Sequence, residues 1–300
     1  MPFYRKSYAT IIVGCLNLKT KIVFSQKSLG YGAWHIEGPT RISSAYGFLE
    51  QEGYEFKEPF PASEAEILKA HTEKYVLKLK HGEVEDSDTP AYKGIYDYAT
   101  LAVGGAILAS EIGGFALIRP PGHHTGKDGK ALGAPTQGFC YLNNIAIAVK
   151  AFNKKTLIID IDGHHGNGTQ EIFQDNPKVT YLSLHRHPYY PWTGETAVGN
   201  SLNYSLPIDC GEKVYLKTLN QALSTLELSK FEAVAVSAGF DTHQDDLASL
   251  GLTEKSYWQI GKTIAALQKP TFFVLEGGYL TNKIGIDIDM LLRGFDENRK

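Results

Sequence analysis

The chain has few cysteines, no excess of charge of either sign and no long apolar run. Cys15, Cys140 and Cys210 are its only thiols among 300 residues. Three cysteines cannot build a disulfide framework and fit a reducing compartment, so a cytoplasmic location is expected. Lys and Arg total 30 against 33 Asp and Glu, a net charge of −3, and the pI is about 6.4. That balance offers no basis for direct nucleic-acid binding. No apolar run approaches the roughly 18 residues of a membrane-spanning helix, so no membrane partner is expected. Repeats, low-complexity tracts and long Pro/Ser linkers are also missing. Arg5 and Lys6 precede the apolar stretch Tyr8–Cys15, an arrangement that imitates a lipoprotein signal. The stretch is at the short limit for such a signal, and Lys19 and Lys21 follow at once. Residues 1–20 therefore read as an N-terminal extension.

What is present is core-forming material. Hydrophobic residues make up 43%, aromatics 11% and charged residues 21%, which excludes disorder, collagen and coiled coil. Length alone allows two domains, but α/β chains of this size often fold as one. Without a linker, residues 21–300 read as one catalytic domain. Apolar, β-branched runs recur at Lys21–Phe24, Phe115–Ile118, Thr156–Ile159, Val179–Leu184, Ala233–Ser237 and Thr271–Leu275. Continuous runs suit strands buried on both faces. Helical patterns lie between them at Ala62–Leu79, opened by a Ser63-x-x-Glu66 capping box, and at Ile95–Ile112, Asn144–Phe152, Val214–Leu228 and Glu254–Leu267. This alternation predicts an α/β fold with a mostly parallel central sheet and helices on both faces.

The strand ends carry the chemistry. The last five runs are followed in turn by Arg119-Pro-Pro-Gly-His-His124, Asp160-Ile-Asp-Gly-His-His-Gly-Asn167, His185-Arg-His187, Ala238-Gly-Phe-Asp-Thr-His243 and Glu276-Gly-Gly-Tyr279. In open α/β sheets, ligands bind at the C-terminal strand edge. Seven of the ten histidines fall in these segments. A lone histidine is more often a structural hydrogen-bonder, but five converging segments argue for a site.

Asp162, His164 and Asp241 offer two carboxylates and an imidazole, the number of protein ligands a catalytic zinc uses when it keeps a position open. Asp-x-His on an extended segment presents both side chains on one face. The same set suits Mn²⁺ or Fe²⁺. His123 and His124 follow a stiff Pro-Pro-Gly turn and can split acid and base roles if their pKa values differ. Each needs an orienting partner, for which Asp160 and Asn167 are candidates. Tyr279, after two glycines, is placed to donate to a developing oxyanion.

These motifs, together with Gly138-Phe-Cys-Tyr-Leu-Asn-Asn144, resemble the zinc-dependent histone deacetylase superfamily. That superfamily includes acetylpolyamine amidohydrolases and acetoin-utilisation proteins. The resemblance runs in order from about Ile22 to Leu280. It implies that Asp162, His164 and Asp241 hold one zinc ion. It implies that His124 is the general base and acid, that His123 acts mainly through its charge, and that Asp160 and Asn167 stand behind them. Asn167 is class II-like. Tyr279 matches the catalytic tyrosine and Asp88 the rim aspartate that grips the substrate backbone. Gly138, Phe139 and Tyr190 match the tunnel wall, and Arg41 an arginine of the internal acetate channel. Ser183 and Leu184, with Asp160, Asp162 and His164, match a structural potassium site.

Departures from the family pattern bear on the substrate. The first motif reads His35-Ile-Glu-Gly-Pro-Thr-Arg41, where relatives often have His-Pro-Glu. Trp192 stands where glycine is usual, so a ring is expected at the tunnel mouth. The segment Asp245–Ser249 is short, and Ala248 aligns nearest to the acidic gatekeeper of polyamine-selective enzymes. The dimer-forming insertion of bacterial acetylpolyamine amidohydrolases is also missing. The expectation is a hydrolase that removes acetyl or acyl groups from N6-acetyl-lysine of proteins or peptides. Acetylated polyamine is the alternative substrate, and the acidic loop Glu83, Glu85, Asp86, Asp88 bears on it through attraction for cations. Two rivals share the fold: an arginase-like two-manganese hydrolase and a non-catalytic acyl-lysine binder.

Overall fold

Extended backbone sends alternate side chains to opposite faces, so an apolar run without alternation must be covered on both. The computed structural model, which describes residues 19–299, shows this directly. Ten strands form: β1 Ile22–Val23, β2 Phe56–Lys57, β3 Phe115–Ala116, β4 Thr125–Gly126, β5 Gly129–Lys130, β6 Thr156–Asp160, β7 Val179–Arg186, β8 Ser201–Leu206, β9 Ala233–Ala238 and β10 Thr271–Leu275. Eight of them make one sheet in the order β2-β1-β3-β10-β9-β6-β7-β8. Its pairings are all parallel. The other two, β4 and β5, form a small antiparallel hairpin.

Among the described residues nine helices cover the sheet: α1 Thr40–Gln51, α2 Glu64–Ile67, α3 Glu73–Lys80, α4 Ile95–Ile112, α5 Asn144–Phe152, α6 Asn167–Phe173, α7 Gly211–Ser224, α8 Glu254–Ala265 and α9 Ile284–Asp296. Leu157 and Ile159 of β6 enter one core with α1, α7, α8 and α9. Ile158, between them, enters the other with α3, α4, α5 and α6. The expected α/β architecture is therefore the observed one. Strands β3, β10, β9 and β6 are adjacent in the centre, so the segments that follow them meet at one edge.

Local boundaries differ where tertiary contacts compete. The expected helix Ala62–Leu79 is two helices, α2 and α3. Its capping box forms, with Ser63 and Glu66 reciprocally bonded. The break comes at His71, whose ring is buried between Gly126 O and Asn143 N, both at 2.9 Å. Thr72 then caps a new helix by accepting from Tyr75 N. The pattern over Val214–Leu228 is realised three residues earlier, and Leu228–Lys230 forms a separate 3₁₀ turn. Helices α1, α6 and α9 and strands β2 and β8 were not anticipated; α6, β2 and β8 carry short or polar patterns, whereas α9 is amphipathic over 13 residues. The N-terminal stretch with Arg5, Lys6 and Cys15 lies outside the described residues. Among the described residues, no helix is long and apolar enough to cross a membrane.

Candidate active site

The segments after β3, β6, β9 and β10 enclose a cavity of about 140 Å³. Its lining includes His123, His124, His164, Phe139, Tyr190 and Tyr279. Asp162, Gly138 and Asp88 also contribute, joined by Leu247, Pro121 and Gly277.

Beneath the cavity floor, Asp162, His164 and Asp241 bring one potential ligand atom each to within 4.8 Å of one another. The outer oxygens are used by backbone: Gly277 N donates to Asp162 Oδ2 and Gly163 N to Asp241 Oδ1, both at 2.7 Å. The inner oxygens face His164 Nδ1, at 3.2 Å from Asp162 and 2.7 Å from Asp241. Asp241 Oδ2 is fully buried yet has no aligned hydrogen bond. Two buried carboxylates and an imidazole converge there, and a cation held between them offsets the carboxylates' repulsion and desolvation. The donor set therefore fits a divalent metal. Burial, then the charge of Asp162, raises the Asp241 carboxyl to about 6. Burial opposes a charged His164, but Asp241 and Asp162 outweigh it and lift its pKa well above the usual value. A metal held by this triad must displace that proton, so metal affinity is expected to rise with pH and binding to release protons. Titration calorimetry in buffers of different ionisation enthalpy counts the protons; affinity that is flat between about pH 6 and 8 would contradict this.

The tandem histidines are held differently. His123 Nδ1 lies 3.1 Å from Asp160 Oδ2, and His124 Nδ1 lies 2.8 Å from Asn167 Oδ1. Asn167 Nδ2 donates to Ala131 O, so its oxygen faces His124. His124 must then carry its proton on Nδ1, which leaves the Nε2 lone pair free. Burial, then His123 and His164, keeps the His124 pKa well below the usual value. Burial also disfavours charge on His123, but Asp162 and Asp160 overcome it and raise it to about 10. Two adjacent rings, with centroids 4.1 Å apart, are thus a neutral base and a cation. Glu276 supports both from below: its Oε2 accepts from Gly122 N at 2.7 Å and His123 N at 3.1 Å.

At the neck, Gly138 has φ +54, and a Cβ there would lie 2.4 Å from His124 Cδ2 and 2.8 Å from the Tyr190 hydroxyl. Only glycine fits. Phe139 packs edge-on to Tyr279 with centroids 5.8 Å apart. Half-buried Asp88 accepts from Thr136 Oγ1 at 2.6 Å and Thr89 Oγ1 at 3.0 Å. Arg41 does not line the cavity. It lies behind Tyr279, 4.9 Å from the ring centroid, and donates to Glu276 O, Gly278 O and Glu37. Ser183 is the register partner of Asp160 on β7, with Leu184 next to it, away from the cavity.

Several expectations need correction. Ala248 is fully buried and outside the cavity lining; its neighbour Leu247 takes the wall. Trp192 is 64% exposed and outside the lining. Its φ is +64, which explains why glycine suits that position. Of the seven clustered histidines, three line the cavity. His165 is held by Thr193 and Gln170, and His185 by Ser183 and Gly194 O. His243 joins Glu254 and Asp287 in a second cluster, where Lys283 Nζ already sits 2.5 Å from Glu254.

Some supporting residues were not singled out from sequence. Glu37 is sandwiched between two buried guanidiniums, Arg41 and Arg119, each 3.0 Å away. The spacing of four between Glu37 and Arg41 was the available signal. Glu276 opens a motif already noticed. Leu247 and Asp246 had no signal, since they sit in an irregular loop.

A mostly parallel α/β sheet that carries a metal-type triad and tandem histidines at its C-terminal edge is the architecture of the deacetylase folds. The chain belongs to the histone deacetylase family: the Histone deacetylase domain profile matches residues 35–295. It is 38% identical over 262 residues to an Archaeoglobus fulgidus protein named "Probable deacetylase", covering 78% of this chain and 71% of that one. It is 37% identical over 210 residues to the acetylpolyamine amidohydrolase of Mycoplana ramosa, covering 64% of this chain and 60% of that one. The crystal structure of acetylpolyamine aminohydrolase from Burkholderia pseudomallei superposes with a TM-score of 0.86 at 25% identity. It covers 94% of this chain and 100% of that one.

Proposed function

We propose that this deacetylase hydrolyses N6-acetyl-lysine in proteins or peptides, using one zinc ion held by Asp162, His164 and Asp241. Bound zinc supplies Lewis acidity toward the amide carbonyl and acidifies water. His124 Nε2 takes the proton of the attacking water and returns it to the leaving amine. His123 remains cationic against Asp160 and steadies developing negative charge. Tyr279 donates its hydroxyl to the oxyanion. Phe139 and Tyr190 flank the apolar lysine stem, and Asp88 holds the substrate backbone outside. Arg41, behind Tyr279, serves the acetate channel. Asp160, Asp162, His164, Ser183 and Leu184 hold a structural potassium ion, a role supported by the pairing of β6 with β7. The free thiols Cys140 and Cys210 support a cytoplasmic setting.

The observation that carries the lysine reading is the neck. It is built from Phe139, Tyr190 and Leu247, and Asp88 is the one carboxylate in the lining besides Asp162. An apolar neck suits a methylene stem and gives no inner charge to a second ammonium. Acetylated polyamine is the second reading, favoured by Asp86 and Asp88 at the rim and by the named relatives. A side-by-side assay of acetyl-lysine peptides and acetylated polyamines decides: higher kcat/KM on the polyamine would overturn the lysine reading. A two-metal site is disfavoured because both ends of the Asn167 amide are already engaged.

Tyr279→Phe tests the oxyanion role. The ring and its Phe139 contact stay, so fold and zinc content should persist. Loss of one preorganised donor costs roughly 10²–10³ in kcat, about 2.7–4 kcal/mol. KM should move far less, since the tunnel walls and Asp88 remain. A kcat within about threefold of wild type would contradict the role.

A further inference from the structure

Tyr279 sits on a loop whose local conformation does not position it. Gly278 precedes it with φ +114, a region open to glycine, so the chain there has wide backbone freedom. Its placement must come from tethers. Arg41 holds Glu276 O and Gly278 O, each at 2.5 Å. Gly277 N donates to Asp162 at 2.7 Å, and Gly277 O accepts from Phe240 N at 3.1 Å. These bonds all lie before Tyr279 in the chain. The backbone of Tyr279 itself is held by Asp246, whose Oδ2 accepts from Tyr279 N at 2.7 Å and from Leu280 N at 3.1 Å. The other oxygen, Oδ1, accepts from Leu247 N at 2.7 Å.

We infer that Asp246 is a positioning residue that sets the Tyr279 hydroxyl over the reaction centre and couples it to the Leu247 wall. This rests on the oxyanion role proposed for Tyr279. One carboxylate joins the loop after β9 to the loop after β10 and so spans two facing walls of the cavity. Bonds from N–H groups to an ionised carboxylate are among the stronger hydrogen bonds. Asp246 is only half-buried, so water can satisfy the freed N–H groups when it is removed, and the fold loses little. The ring, in contrast, loses its backbone anchor. A misplacement of about 1 Å in a catalytic group can cost as much as 10²-fold.

The test is a double-mutant cycle on zinc-loaded enzyme with an acetyl-lysine peptide. D246A should lower kcat by about 10–100-fold with KM within about threefold and zinc content unchanged. D246N keeps one amide oxygen for Tyr279 N and Leu280 N but sets its Nδ2 donor against Leu247 N, so its kcat should lie between those of D246A and wild type. In the Y279F background, D246A should cost no more than about twofold further, because the hydroxyl it positions is gone. Additive losses in the cycle overturn the inference, as does wild-type kcat in D246A. If D246A loses its fold by circular dichroism, D246S carries the same cycle. A near-wild-type Y279F enzyme defeats the oxyanion role itself; a deficient Y279F enzyme with additive D246A defeats only the positioning role of Asp246.

Discussion

Replacing Asp241 by Ala or Asn should abolish deacetylation and lower bound zinc toward zero, and Asp162→Ala and His164→Ala should do the same. Each removes one of three protein donors, and a catalytic zinc has no fourth to fall back on. Asp241 is the most telling position. Its Oδ1 is engaged by Gly163 N, while its buried Oδ2 has no aligned donor. Asp241→Asn retains the acceptor toward Gly163 and removes the charge, so the local backbone should keep its shape. Asp241→Ala leaves a void against Gly163 and should also lower the thermal midpoint. Metal analysis of purified protein, beside an acetyl-lysine assay and a circular dichroism melt, separates ligand loss from misfolding. Full activity in a metal-stripped sample would sink the proposed mechanism.

His124→Ala should reduce kcat by about 10²–10⁴ while zinc stays bound, the usual worth of general acid–base catalysis. The reason is its protonation state. Asn167 fixes the proton on Nδ1 and leaves Nε2 free to accept, and burial beside His123 and His164 keeps the ring neutral. The acid limb of kcat/KM, read at saturating zinc, should therefore lie below the ordinary histidine pKa of about 6.5. His123→Ala should cost less. Its charge is held by Asp162 and Asp160 against burial, and in the proposed mechanism it would steady the transition state without moving a proton. If the two variants fell equally and in step with folded fraction, the pair would be packing only. Imidazole added to His124→Ala offers a further check, since rescue is expected at the cavity left by the base.

Much of the catalytic inventory is legible because it is local. Asp162 and His164 are two residues apart on extended chain, so they share a face whatever surrounds them. His123 and His124 follow a Pro-Pro-Gly turn with little freedom. The apolar runs at 156–159, 233–237 and 271–275 are too continuous for half-exposed strands, and they became β6, β9 and β10. Helices α4 and α5 keep the bounds their patterns predict because their caps are sharp: Gly94 and Gly113 flank one, and Asn143 caps the other.

The rest depends on partners distant in the chain. The helix expected through His71 breaks because that ring is needed between Gly126 and Asn143, 55 and 72 residues away. Four of the clustered histidines stay out of the cavity lining, since a shared strand end does not fix which way a ring turns. Leu247 rather than Ala248 reaches the neck, and an irregular loop has no periodic pattern that would record this. Sequence by itself determined the strand runs, the ligand-type residues and their spacing, all of which follow from backbone period and side-chain chemistry. Only the tertiary structure decided that Asp246 holds Tyr279 from 33 residues away and that Glu276 holds Gly122 from 154 residues away. Such contacts arise from strand order and long-range packing, which no local window of sequence contains.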